Sequence, residues 1–356
     1  MPLVAHIPLP TFDDLRERGE NVLELGQALQ QDIRELHIGL LNMMPDAALT
    51  TTERQFMRLV GSSNQIAQLF VYPFSIPGLP RGAEAQAYID HYYIPFEQIQ
   101  RDGLDALIIT GANVANPMLE QEPFWEALHA IAHWASEHVT SVLCSCLATH
   151  AMVKAIHGIE RRPLPSKRWG VYPHRIAAID HPLLRDINTR FDVPHSRFND
   201  VSREQMEAAG LTILAAGEES AVHLAVSPDQ FRIVYFQGHP EYDGNSLLKE
   251  YKREVARFGA GERDDYPPHL DNYFSSEAAA IIDAYEATVR TCLEQNLEIP
   301  PFPDDQIEPH LDNTWLDTGK SIVNNWLGTV YRLTSLDRKI PFAVGVDPQD
   351  PLGLRK

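Results

Sequence analysis

The chain has 356 residues, 44% of them hydrophobic, enough to bury a sizeable core. Its 30 Lys and Arg stand against 49 Asp and Glu, a formal charge of −19, which excludes nucleic acid and anionic membrane as partners because phosphate binding needs clustered cations. Three cysteines are too few for a disulfide framework and fit a reduced, cytoplasmic chain.

The opening MPLVAHIPLPTFDDLRERGE has neither a basic n-region nor a long apolar run, so no signal peptide is expected. No window reaches the ~20 apolar residues of a membrane span. Residues 1–35 read as an extended arm and a helix. LHIGLLNM (36–43) is apolar through its middle, as a strand buried on both faces should be. TTTERQFMRLVG (50–61) reads as a helix with a Thr N-cap, Phe56, Leu59 and Val60 on one face, and Gly61 as its stop. IAQLFVYPF (66–74) and LDALIITGAN (104–113) are the next strands. FWEALHAIAHWASEH (124–138) is helical, with Trp125, Leu128, Ile131 and Trp134 recurring every three residues. TSVLCS (140–145) is a strand, and LATHAMVKAIHG (147–158) a helix closed by Gly158. LTILAAG, AVHLAVS and RIVYFQGHPEYD read as three later strands. In 256–312, Pro- and Asp-rich loops flank a helix at 276–295, an inserted segment packed on a catalytic domain of 36–255. An amphipathic helix at 315–334 lies in a final segment, 313–356, that completes the domain. Strands alternating with helices predict an α/β fold, a doubly wound and mostly parallel sheet with helices on both faces.

In such folds sites form at the carboxyl ends of strands, and three ends are chemically loaded. Cys146 sits where apolar SVL becomes helical ATHAMVKAI. A thiol on that turn, near a helix N-terminus, is favoured as thiolate and nucleophile. Position alone leaves a buried, inert cysteine equally open. Cys144, two residues earlier, is expected to be strand filler; a disulfide between the two would be strained. Cys292 is expected to be inert. QGHPEYD places His239, Glu241 and Asp243 after a strand. Residues two apart in an extended segment face the same way, so Glu241 is expected to orient His239, which takes a proton from the thiol. The Gly of ITGAN lets backbone N–H groups of Gly111 and Ala112, with that of Leu147, form an oxyanion hole. His150 is expected to be packed or solvated. His174, His181 and His195 have no repeated metal-ligand spacing, so no metal is expected.

LLNMMP, ITGAN, HVTSVLCSCLA, GVYPH, PHSRF, GHPEYD and NNWLG follow one another in this order. Together they resemble the homoserine O-acyltransferases of methionine biosynthesis, the branch on the class I glutamine amidotransferase-like fold often called homoserine O-succinyltransferase. The resemblance spans about 36–255 and resumes at 313–334. It implies Cys146 as acyl-thioester nucleophile, His239 as general base and Glu241 as its partner. It also implies Lys167 and Ser196 as substrate contacts and Arg253 as the group holding the homoserine carboxylate; a planar guanidinium suits that task. The implied reaction is ping-pong, with succinyl-CoA as co-substrate, no bound cofactor, and a cytoplasmic homodimer. Ala115 stands where the family pairs a small residue with succinyl and Glu with acetyl, so succinyl is expected and acetyl-CoA is the alternative. Two departures are Asn113, where the family has Pro, and DAALTTTE, where it carries lysines. A glutamine amidotransferase-like Cys hydrolase is the other reading; Ser145 and Leu147, where such enzymes have Gly, speak against it.

Overall fold

A computed structural model describes residues 3–63, 67–218 and 221–355. Ile66, which opens the expected second strand, lies outside them. The strands are β1 (Leu3–Ala5), β2 (Val22–Glu24), β3 (Glu35–Leu41), β4 (Gln68–Phe74), β5 (Ala106–Ile109), β6 (Ser141–Ser145), β7 (Arg162–Ile176), β8 (Arg190–Asp200), β9 (Thr212–Gly217), β10 (Ala221–Val226) and β11 (Ile233–Phe236). They form one sheet in the order β2-β1-β4-β3-β5-β6-β11-β10-β9-β7-β8. Pairing is parallel from β2 through β11 and antiparallel from β11 to β8. This is the expected α/β architecture, with an antiparallel extension on one side.

The period-two rule assigns the two faces of the sheet. Ile38, Leu40, Ile108, Leu143 and Val234 pack on one face, against Phe56 and Val60 of the helix Leu49–Gly61 and Trp326 of the helix Leu316–Leu333. Leu41, Leu107, Val142, Cys144 and Tyr235 pack on the other, against the helices Trp125–His138 and Leu147–His157. A third apolar cluster joins Trp169, Leu248, Tyr251, Ile282 and Trp315 around the helix Ser246–Gly259. The helix Ser276–Gln295 has the bounds expected for it and packs into this third cluster.

Several local expectations are corrected. The N-terminal arm supplies β1 and β2, which extend the parallel edge. The helix expected to start on a Thr cap starts at Leu49, after a 3-10 turn over Asp46–Ala48, with no side-chain cap. The long hairpin β7–β8 comes from GVYPH and PHSRF, where no strand was read. Its Pro163, Pro165, Pro173 and Pro194 break any simple alternation; Pro194 lies on β8, an edge strand, where proline is tolerated. The last strand ends at Phe236, earlier than RIVYFQGHPEYD suggested. Among the described residues no helix is long and apolar enough to cross a membrane.

Candidate active site

β6 and β11 are neighbours although far apart in sequence, with Cys144 opposite Tyr235 and Ser145 opposite Phe236. Whatever follows each strand therefore emerges side by side. After β6 comes Cys146, whose N–H donates to the Phe236 carbonyl at 2.8 Å. Cys146 has φ 53° and ψ −111°, a conformation costly for any residue with a Cβ, on the order of 1–3 kcal/mol. It stands at the N-terminus of the helix Leu147–His157, half-buried, while Cys144 is fully buried and burial pushes its thiol pKa up. Of the neighbouring pair, only Cys146 reaches the cleft. Cys292 lies on the remote helix Ser276–Gln295.

After β11 the chain turns. Tyr242 N–H donates to the His239 carbonyl at 3.3 Å, with Pro240 at the second position of the turn, which proline favours. His239 and Glu241 thus meet across a turn, which corrects the extended-segment reasoning while preserving the contact. His239 Nδ1 and Glu241 Oε1 are 2.8 Å apart, both groups buried. Ser145 Oγ donates to the same carboxylate oxygen at 3.3 Å. Burial opposes the charged form of His239, but the charges of Cys146 and Glu241 and hydrogen bonds to both outweigh it, so its pKa lies well above the ordinary 6.5. The turn approaches β8 so closely that a Cβ on Gly238 would sit 2.5 Å from Val193 Cγ1 and 2.9 Å from the His195 ring, so only glycine fits. Asp243, the third polar residue of the motif, is held by Arg54 and Arg58 of the helix Leu49–Gly61. It anchors the turn and does not line the cleft.

The cleft, about 790 Å³, runs between these strand ends, the hairpin and the helix Ser246–Gly259. The hairpin brings Lys167 and Ser196 to it, and the helix brings Arg253, so all three residues line one wall with Cys146 and His239. Sequence reasoning missed the residue that joins them. Glu250 accepts from Ser196 Oγ at 2.5 Å, Trp169 Nε1 at 3.2 Å and Lys167 Nζ at 3.4 Å through one oxygen, and from Tyr242 Oη at 2.9 Å through the other. Tyr242 stacks on the His239 ring, centroids 4.2 Å apart. Burial alone would raise the Glu250 pKa; Lys167 and the Ser196 hydrogen bond hold it below the ordinary carboxylate value. Burial lowers the Lys167 pKa against the pull of Glu250. The available signal was helical spacing: Glu250 precedes Arg253 by three, on one helix face. Arg253 is half exposed, its Nε 3.9 Å from Glu254.

The loop after β5 forms the opposite wall. Gly111 lies beside Cys146, a Cβ built on it falling 3.7 Å from Cys146 Cβ. Gly111, Ala112 and Leu147 all line the cleft, whereas Ala115 is exposed just beyond the lining stretch, its N–H donating to Glu122. His150 is buried, its Nε2 3.0 Å from Gln237 Oε1, and burial lowers its pKa to about 3. His174 and His195 are buried neighbours, Nε2 to Nε2 3.3 Å, both kept neutral by burial. His181 packs apart from them, its Nε2 3.1 Å from the Gln230 carbonyl oxygen. A half-buried thiol at a helix start, a histidine, its carboxylate and a wall of cations and donors suit covalent acyl transfer.

A family model described as homoserine O-succinyltransferase matches residues 2–336. A homoserine O-succinyltransferase of Methylobacter tundripaludum is 60% identical over 99% of this chain and 100% of its own length. One of Nitrosococcus oceani is 58% identical over 100% of this chain and 99% of its own. Among solved structures, a glutamine amidotransferase from Methylobacillus flagellatus matches 83% of this chain and 95% of its own with 13% identity and a TM-score of 0.46. With whole-length relatives at such identity, the chain belongs to the homoserine O-succinyltransferase family and is an acyltransferase.

Proposed function

We propose that the protein transfers the succinyl group of succinyl-CoA to the hydroxyl of homoserine through a Cys146 thioester, a step of methionine biosynthesis. The carrying observation is the strained Cys146 turn set beside the His239–Glu241 pair. His239 takes the Cys146 proton, the sulfur attacks the thioester carbonyl, the carbonyl–sulfur bond to CoA breaks, and CoA leaves with the proton from the imidazolium. The homoserine hydroxyl then gives its proton to His239 and attacks the Cys146 thioester. That carbon–sulfur bond breaks, and Cys146 recovers the proton. Backbone N–H groups of Gly111, Ala112 and Leu147 hold the oxyanion of each tetrahedral intermediate. Arg253, half exposed at the cleft, takes the homoserine carboxylate; Lys167 and Ser196, ordered by Glu250, contact the same substrate. Ala115 leaves room in the acyl loop where a glutamate would repel a second carboxylate.

Intact-mass analysis after mixing with succinyl-CoA is expected to show one succinyl adduct on Cys146, discharged by homoserine. Full turnover by Cys146→Ala would sink the reading. Steady-state rates with succinyl- and acetyl-CoA, each against homoserine and serine, fix donor and acceptor, and ammonia release from glutamine would favour the hydrolase instead. The reading carries a cytoplasmic homodimer, which light scattering and fractionation test.

A further inference from the structure

The loop after β5, which carries Ala115, is gripped from both sides by two residues with no assigned task. Glu122, buried, accepts the N–H of Ala115 at 2.8 Å and of Asn116 at 2.6 Å through one oxygen. Arg161, which lines the cleft with Cys146, donates from Nη2 to the carbonyls of Asn116 and Pro117, each at 3.0 Å. The loop they hold begins at Gly111, against the nucleophile.

Arg161 differs from the other cations of the cleft in what it faces. Arg197 is paired with Asp200 at 2.5 Å, Arg257 and Arg263 with Glu254 at 3.2 Å, and Lys167 with Glu250 at 3.4 Å. Lys249 is exposed, and Arg253 lies on the helix wall. The hydrogen bonds of Arg161 go to neutral carbonyls, and its Nε, buried, has no partner among the described residues. Burial lowers its pKa and the charges of Glu122 and Cys146 raise it, the guanidinium staying charged. A guanidinium in the acyl-side wall, without a carboxylate hydrogen-bonded to it, is a receptor for one.

We propose that Arg161 reads the distal carboxylate of a dicarboxylic acyl group carried on Cys146, with Glu122 holding the loop in register for that contact. The inference rests on the thioester reading above and deepens it. It makes the choice of donor an attraction, supplied by Arg161, as well as an absence of repulsion at Ala115.

The test compares kcat/KM for succinyl-CoA and for butyryl-CoA, which lacks the second carboxylate, in the wild type, Arg161→Gln and Arg161→Lys. In Arg161→Gln the succinyl-CoA value is expected to fall about 10- to 100-fold, as for a lost hydrogen bond to a charged group, with the butyryl-CoA value kept. Arg161→Lys, which keeps the charge, is expected to retain most of the preference. An equal fall with both donors would make Arg161 a loop support and overturn the proposal, as would an unchanged ratio. If the wild type forms no adduct on Cys146 with either donor, the thioester reading fails first and takes this inference with it; an adduct with an unchanged ratio removes this inference alone.

Discussion

His239 is buried yet favours its charged form, because the Cys146 sulfur and the Glu241 carboxylate outweigh desolvation. A raised folded-state value has a definite sign. The imidazolium stabilises the fold fully below the unfolded value of about 6.5, and that contribution fades as pH rises through the folded value. Removing the sulfur removes one of the two supporting charges. Cys146→Ala is therefore expected to lower the His239 pKa, read from its ring-proton shifts in an NMR titration; an unmoved titration would mean that the two side chains are not electrostatically joined. Cys146 was legible as a candidate because an apolar strand gives way to a helix there. Its positive φ was not, since no residue preference points to a strained cysteine. Glu241 was found by spacing, although a turn closed by Tyr242, and not an extended segment, brings it to His239.

At the scale of elements, Glu250 ties the polar side of the helix Ser246–Gly259 to the hairpin β7–β8, beside the apolar packing of Trp169 on Tyr251. Glu250→Gln keeps the shape of the side chain and removes the charge that holds Lys167. The variant is expected to acylate Cys146 from succinyl-CoA at a near-normal rate and to lose about 10-fold or more in transfer to homoserine, which rapid-quench of the two half-reactions separates. Equal loss in both halves would place Glu250 outside the acceptor side. The hairpin was illegible as strands because prolines and charges interrupt its pattern. Its cleft-lining Lys167 and Ser196 were still singled out, through the motifs GVYPH and PHSRF, because those strings resemble a family. Glu250 lay outside every such string, and a glutamate on an amphipathic helix ordinarily faces water. Only the fold shows that this one is enclosed.

At the scale of the molecule, the parallel half of the sheet was readable because strands buried on both faces are apolar throughout. The antiparallel extension was only partly so: β9 and β10 read as strands, but the prolines of β7 and β8 hid the hairpin that completes it. The helix Leu316–Leu333 seals one face, burying Ile322, Val323, Trp326, Leu327 and Val330 almost completely. At about 1.5–3 kcal/mol each, these side chains together match the net stability of a domain. A chain ended after residue 315 is expected to lose cooperative thermal unfolding, followed by circular dichroism, and acylation of Cys146 with it; a truncated chain that still melted sharply would contradict this. The Trp326 indole N–H donates to Ser141 Oγ at 2.8 Å, at the start of the strand that leads to Cys146. On a ribosome, the strand that leads to Cys146 is made well before the helix that packs on its start. The seat of the thiol is thus completed only when a segment far downstream in the sequence has packed against its strand.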